Sequence, residues 1–267
     1  GVEEIQKYAF YNCTGLQSVT VPSTLKRIKE FAFTKDAKLT DINLQNIEVI
    51  GKEAFKGCTS LKTAALNKAF AIGVKAFEDC TALAYVDLSA LRNTGAEAFR
   101  NCTALKEVKL TEDTKLSNGM FAFSGLTRVD IFEKVQIPDN CFYGCKSLET
   151  VHLPDNEFAI GTNCFYGCEN LTSLNLKTNT RIAGTGGGIF EGTKLSAFVI
   201  SDESKHYSVS EDGKLLLSKD GTEIILAATG AEYGYYKLDK KYTAIGESAF
   251  SGTDIVSLEI ENINTII

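Results

Sequence analysis

The chain has 267 residues, of which 44% are apolar and 23% charged, and a formal net charge of −6. That balance suits a folded protein with a core, and its 28 basic residues are scattered rather than gathered into the basic face that nucleic acid binding requires. No apolar run reaches 18 residues, so no membrane span is expected in this segment.

The opening Gly1-Val-Glu-Glu-Ile5 already reads as part of a repeat, which suggests a mature or trimmed product. From there one pattern recurs, close to Ile-Gly-x-x-Ala-Phe-x-x-Cys-x-x-Leu-x-x-Val-x-Leu. Its phenylalanine falls at Phe10, Phe33, Phe55, Phe77, Phe99, Phe121, Phe142, Phe165, Phe190 and Phe250, and eight of the nine intervals lie between 21 and 25 residues. A fixed period in this range marks a solenoid, whose units bury apolar faces only against their neighbours.

The first half of each unit has a helical rhythm. Ile50, Ala54, Phe55 and Cys58 are spaced to share one side of a short helix. The second half alternates: Val19 and Val21, Ile42 and Leu44, Val86 and Leu88, Val108 and Leu110 are expected to point inward from a half-buried strand. Each coil is therefore expected to contain one strand and one short helix.

These units resemble the BspA-type leucine-rich repeat. The likeness rests on Gly51-Lys-Glu-Ala-Phe-Lys-Gly-Cys-Thr-Ser-Leu61 and Ile72-Gly-Val-Lys-Ala-Phe-Glu-Asp-Cys-Thr-Ala-Leu83, and it extends over nearly the whole chain. It implies an α/β repeat solenoid: a right-handed coil with one parallel-sheet strand and one short helix per 22–23-residue repeat. It also implies a secreted or cell-surface protein of the kind found in anaerobic gut and oral bacteria and some mucosal protists. Adhesion to host matrix proteins or to other cells goes with that resemblance.

The interval from Phe190 to Phe250 is 60 residues long. Within it Tyr207-Ser-Val-Ser210, Lys214-Leu-Leu-Leu-Ser218 and Thr222-Glu-Ile-Ile-Leu-Ala-Ala228 read as strands, separated at Asp212-Gly213 and Asp220-Gly221. Asp-Gly is a two-residue hairpin signal. The expected organisation is leucine-rich repeats 1–9 over residues 1–200, a β-hairpin insertion over 201–235, and final repeats over 236–267. Residues 258–267 align without gaps to 42–51, so the array is expected to continue.

Chemistry finds little support. Cys13, Cys58, Cys80, Cys102, Cys145 and Cys168 all lie three residues after the repeat phenylalanine, and Cys141 and Cys164 just before it. Stacked inward, such thiols act as small hydrophobes. Cys141, Cys145, Cys164 and Cys168 also leave open a zinc site or disulfides between adjacent coils. His152 faces away from Cys145, and His206 has no acid or nucleophile beside it. Gly184-Thr-Gly-Gly-Gly188 lacks the residues of a phosphate loop and reads as a turn. Three glycosylation sequons, at Asn12, Asn101 and Asn170, fall out of the repeat pattern itself. No catalytic residue, cofactor or metal is expected, and the chain is not expected to be an enzyme.

Recognition is expected on the outward strand positions, which vary from coil to coil while the inward ones do not. The richest run is Tyr85, Asp87, Glu107, Lys109, Arg128, Asp130 and His152, and Tyr233 and Tyr235 cluster at the end of the insertion, where they either meet a partner or cover the insertion's own small core. Tyrosine and arginine are the usual energetic anchors of interfaces. The expected function is a non-enzymatic extracellular binding or adhesion module, whose partner is a protein or glycan such as a host extracellular-matrix protein. The alternative is a passive spacer that holds another domain of a longer surface protein.

Overall fold

A computed structural model describes residues 1–132, 135–155, 157–182 and 188–261. It divides into two compact units, Gly1–Val135 and Gln136–Ile267. The Gly184–Gly188 run, apart from Gly188, and most of the segment aligned to residues 42–51 lie outside the described residues.

The first unit stacks six coils, marked by Phe10 to Phe121, on two parallel ladders. One ladder joins Glu4–Ile5, Arg27–Ile28, Val49–Ile50, Ala71–Ile72 and Asn93–Thr94 in that order. Its register sets Ile5, Ile28, Ile50 and Ile72 in a buried row. The other ladder pairs Ser18–Val19 with Asp41–Ile42, and then Thr63–Ala64 with Tyr85–Asp87 and Glu107–Lys109. Each of the first five coils thus contributes two strands where one was expected. The extra strand is two residues long, too short for alternation to reveal it.

The expected helix is absent: the described residues contain no helix at all. Around Phe77 the backbone N–H groups alternate in their use. Those of Lys75, Phe77 and Asp79 donate to Ala96, Ala98 and Arg100 of the next coil, at 2.8–2.9 Å. Those of Ala76, Glu78 and Cys80 close tight turns to the residue three before, at 3.2 Å. A helix would direct every N–H along its own axis and leave the neighbouring coil unbonded.

The alternation requires left-handed residues two before and two after each phenylalanine, such as Lys75 (φ 57°) and Asp79 (φ 62°) around Phe77. A non-glycine residue in that region costs on the order of 1 kcal/mol. A net gain of about 1 kcal/mol per hydrogen bond offsets it, with three such bonds in this turn. The helical spacing of Ile50, Ala54, Phe55 and Cys58 is real, but it arises from inward-facing positions of a turn.

Side chains stack as the backbone does. Phe10, Phe33, Phe55, Phe77, Phe99 and Phe121 form a column with ring centroids 4.9–5.8 Å apart and planes within 14°. Beside it runs a column of thiols. Cys58, Cys80 and Cys102 donate their S–H to the carbonyls of Phe33, Phe55 and Phe77 in the preceding coil, at 3.1–3.2 Å. Coils also touch through backbone: a Cβ on Gly95 would sit 2.0 Å from the Val74 nitrogen, so only glycine fits.

The second unit repeats this grammar around Phe142, Phe165 and Phe190, with Phe142 and Phe165 stacked at 5.7 Å. Its strands pair in parallel as Phe158–Ile160 with Thr180–Ile182 and Asn175–Leu176 with Val199–Ile200. Tyr207–Val209, Leu215–Ser218 and Glu223–Ala227 then run antiparallel, and the last of them pairs in parallel with Ala244–Ile245. The insertion therefore shares a sheet with the coil that bears Phe250.

Its two turns are not two-residue hairpins. Ser210-Glu-Asp-Gly213 and Ser218-Lys-Asp-Gly221 build the same four-residue turn, each closed by a bond from the glycine N–H to the serine carbonyl at 2.9 Å. In both, the serine hydroxyl donates to the aspartate at 2.6 Å and accepts an N–H five residues on at 2.9 Å. Serine is the part that the Asp-Gly signal omits.

Candidate binding surface

On the second ladder of the first unit Val86 turns inward and is buried; Val129 does the same in Arg128–Asp130, the strand of the next coil, and in both strands the flanking residues face out. Parallel register sets Tyr85 beside Glu107 and Asp87 beside Lys109, about 4.8 Å apart along the stack. Tyr85 is 45% exposed. Lys109 Nζ lies 3.2 Å from Asp87 Oδ2, and the Ser89 N–H donates to Asp87 Oδ1 at 3.0 Å. Partial burial pushes the Asp87 carboxyl up, but hydrogen bonds from Ser89 and Lys109 outweigh it and hold the group below its ordinary value.

Arg128 is spent within its own strand. Its Nη2 donates to both carboxylate oxygens of Asp130, at 3.1 and 3.3 Å, and its Nε to one of them at 3.2 Å. The six residues of this run are thus brought onto one face, with both cations already facing an aspartate. Tyr85 and Glu107 are the groups that these pairs leave over.

The other expected residues lie in the second unit. His152 is exposed beside buried Val151. Tyr235 is 65% exposed at the start of Tyr235–Lys237, which pairs with Ser257–Glu259. Tyr233 is a correction: it is buried, its hydroxyl donates to the Lys214 carbonyl at 3.1 Å, and its ring meets Tyr236 and Phe250 edge-on. It belongs to the core under the insertion, where burial pushes its phenol well above the ordinary value. Tyr207 is also structural, its hydroxyl accepting the Ile182 N–H at 2.9 Å. His206 Nε2 accepts a hydrogen bond from Arg181 Nε at 3.3 Å.

None of the eight cysteines is joined in a disulfide, and all but Cys13 are buried. Burial raises the Cys58 thiol to about 12 and pushes Cys80, Cys102, Cys164 and Cys168 up as well, which removes the thiolate needed for nucleophilic or metal chemistry. No cluster of metal-ligating side chains occurs among the described residues. Asn12 and Asn101, the first residues of two sequons, hold left-handed φ of 59° and 60°, a conformation that asparagine tolerates well.

Two features escaped the sequence. Asp36 occupies the thiol position of its coil, fully buried, with the Cys13 N–H on Oδ1 at 2.6 Å and no hydrogen-bond partner for Oδ2. The second is a cluster on the turn edge. Tyr8 stacks on Phe31 at 4.9 Å and meets Tyr11 edge-on at 5.5 Å, with Lys7, Lys35 and Lys52 over these rings. Both could have been found by aligning each coil on its phenylalanine and reading the residues two and three before it and one to three after it.

The family model for the BspA-type leucine-rich repeat region, in six copies, matches residues 1–90, 36–136 and 135–210. The chain belongs to this family. Among solved structures, a leucine-rich repeat protein from Bacteroides ovatus has 24% identity and a TM-score of 0.66, over 99% of this chain and 77% of that one. The Treponema pallidum leucine-rich repeat protein has 27% identity and a TM-score of 0.55, over 58% of this chain and 78% of that one. No curated protein sequence matches. The BspA-type assignment agrees with the parallel ladders and with the phenylalanine column on which every coil is built.

Proposed function

We propose that this BspA-type chain is a non-enzymatic binding module of a bacterial surface or secreted protein, and that the outward strand face of its first unit recognises a protein partner. The observation that carries this reading is Tyr85. It is a large aromatic, 45% exposed, on a rigid in-register ladder in which inward Ala64 and Val86 are buried. Tyrosine supplies wide contact area with few rotatable bonds, and a sheet presents it without an ordering cost. Host matrix proteins and other cells are the targets that the family resemblance implies, and a glycan is the other partner class for this face.

A passive spacer is the second reading. It is favoured by the pairing of Lys109 with Asp87 and of Arg128 with Asp130, which leaves those cations less to offer a partner. Changing Tyr85→Ala and Arg128→Ala together separates the two. For a binder, affinity for immobilised matrix proteins falls by roughly tenfold or more, the cost of losing a modest hot spot. Unchanged affinity removes this patch from consideration, and no binding by the parent chain across a broad panel supports the spacer.

A further inference from the structure

The turn edge changes character along the first unit. In its middle coils the charged side chains neutralise one another. Lys56 lies 2.7 Å from Glu78, Lys75 lies 2.9 Å from Glu97, and Arg100 is within 3.7 Å of both carboxylates. In the first two coils the corresponding turns carry Lys7, Tyr8, Tyr11, Phe31 and Lys35. Lys7 and Lys35 make no ion pair among the described residues.

These two lysines face aromatic rings. Lys7 Nζ is 5.2 Å from the centre of Tyr8 and 5.6 Å from that of Phe31, and Lys35 Nζ is 5.9 Å from Tyr11. Lys52 lies 5.6 Å from Phe31, with Glu53 at 3.8 Å. A ring quadrupole holds an ammonium without cancelling its charge, so the positive potential stays available to an anion. Exposed Glu30 and half-buried Glu53 are the surface carboxylates on these turns, fewer than the three lysines, while Asp36 is buried beneath them. Tyr8 and Tyr11 are 49% and 42% exposed, so the aromatic surface is open as well.

We propose that this edge binds an acidic glycan, whose sulfate or carboxylate groups meet Lys7 and Lys35 while a sugar ring lies against Tyr8 and Tyr11. An acidic peptide fits less well. Extended peptides bind by adding backbone hydrogen bonds to a free edge, and here the N–H groups of Tyr8, Phe10, Asn12, Phe31, Phe33 and Lys35 all donate to the next coil. What remains is a patch of ring faces and ammonium groups, suited to a ligand that brings flat C–H surface and negative charge together. The patch is separate from the strand face, so either assignment can fail alone.

The test is calorimetric titration of the whole chain with a sulfated glycosaminoglycan hexasaccharide, its desulfated but still carboxylated counterpart, and an oligoglutamate of equal charge. The sulfated sugar is expected to bind. Lys7→Gln with Lys35→Gln, and separately Tyr8→Ala with Tyr11→Ala, should each weaken it by roughly tenfold or more, with thermal melts unchanged. Tyr11→Ala alone serves if the double aromatic variant unfolds. Retained binding of the desulfated sugar assigns the contact to carboxylate, and its loss assigns it to sulfate. Tyr85→Ala with Arg128→Ala should leave glycan binding as it was. No binding of either sugar, affinity untouched by both double variants, or oligoglutamate binding as tightly as the sulfated sugar overturns the proposal.

Discussion

The strand face and the turn edge of the first unit are made by the same coils under opposite rules. On the strand face, extended backbone accepts any residue that points outward, and Thr63, Tyr85 and Glu107 follow one another in a single column. On the turn edge every second N–H is committed to the next coil, and the residues flanking each phenylalanine must be left-handed. One surface is free in chemistry because its backbone is ordinary. The other is held by its backbone and differentiates through aromatic and charged side chains. Variability alone therefore does not locate function in a repeat protein.

The sharpest way to break this contrast is to attack the column beneath the turn. Phe77→Ala removes a fully buried ring stacked on both sides and should cost about 4 kcal/mol in urea unfolding, whereas Tyr85→Ala should stay within about 0.5 kcal/mol. Similar losses at both sites would mean that the strand face is no freer than the core. Next in size is Gly95→Ala, whose new Cβ meets Val74 backbone rather than a movable side chain; a loss of about 3 kcal/mol is expected from overpacking. A neutral result would show that the coils can part at this point.

The smallest effect is set by pH. Burial raises the Asp36 carboxyl, against the lowering hydrogen bond from Cys13, from the ordinary 3.8 to about 6. The fold thus favours the neutral acid. The stability it contributes is fully present below about pH 4 and is lost as pH rises through about 6. Allowing for local relaxation, the change is about 1–2 kcal/mol. Asp36→Cys, which restores the thiol column, should remove that slope and raise stability at pH 7 by a similar amount. A variant with the parent's pH profile would place the slope elsewhere.

Much of this was legible in the sequence because the repeat averages out accidents. The phenylalanine and cysteine columns were readable from spacing alone, since their side chains recur at one depth in coil after coil. The helix was misread because inward positions four apart occur in a stacked turn as well as in a helix, and spacing carries no φ. Tyr233 was left open for a different reason: three tyrosines in four residues can bind a partner or cover the insertion's core until the fold shows which of them meets Phe250. Asp36 was missed because the eye follows the cysteines, and a coil that breaks their column is silent in a consensus.

The left-handed turns have a further consequence, which is a rule of exclusion. Twenty such positions flank the ten repeat phenylalanines, ten of them before and ten after, and none is valine, isoleucine or threonine. Branching at Cβ makes the left-handed conformation prohibitive. Tyrosine, phenylalanine, lysine, aspartate, glutamate, asparagine and serine all occur there beside glycine. The edge therefore has a restricted alphabet, and that alphabet retains charge and aromatic surface while omitting the residues best suited to building sheets. A repeat library diversified at these sites, with β-branched residues left out, would vary its surface chemistry without offering neighbouring molecules a new strand to pair with.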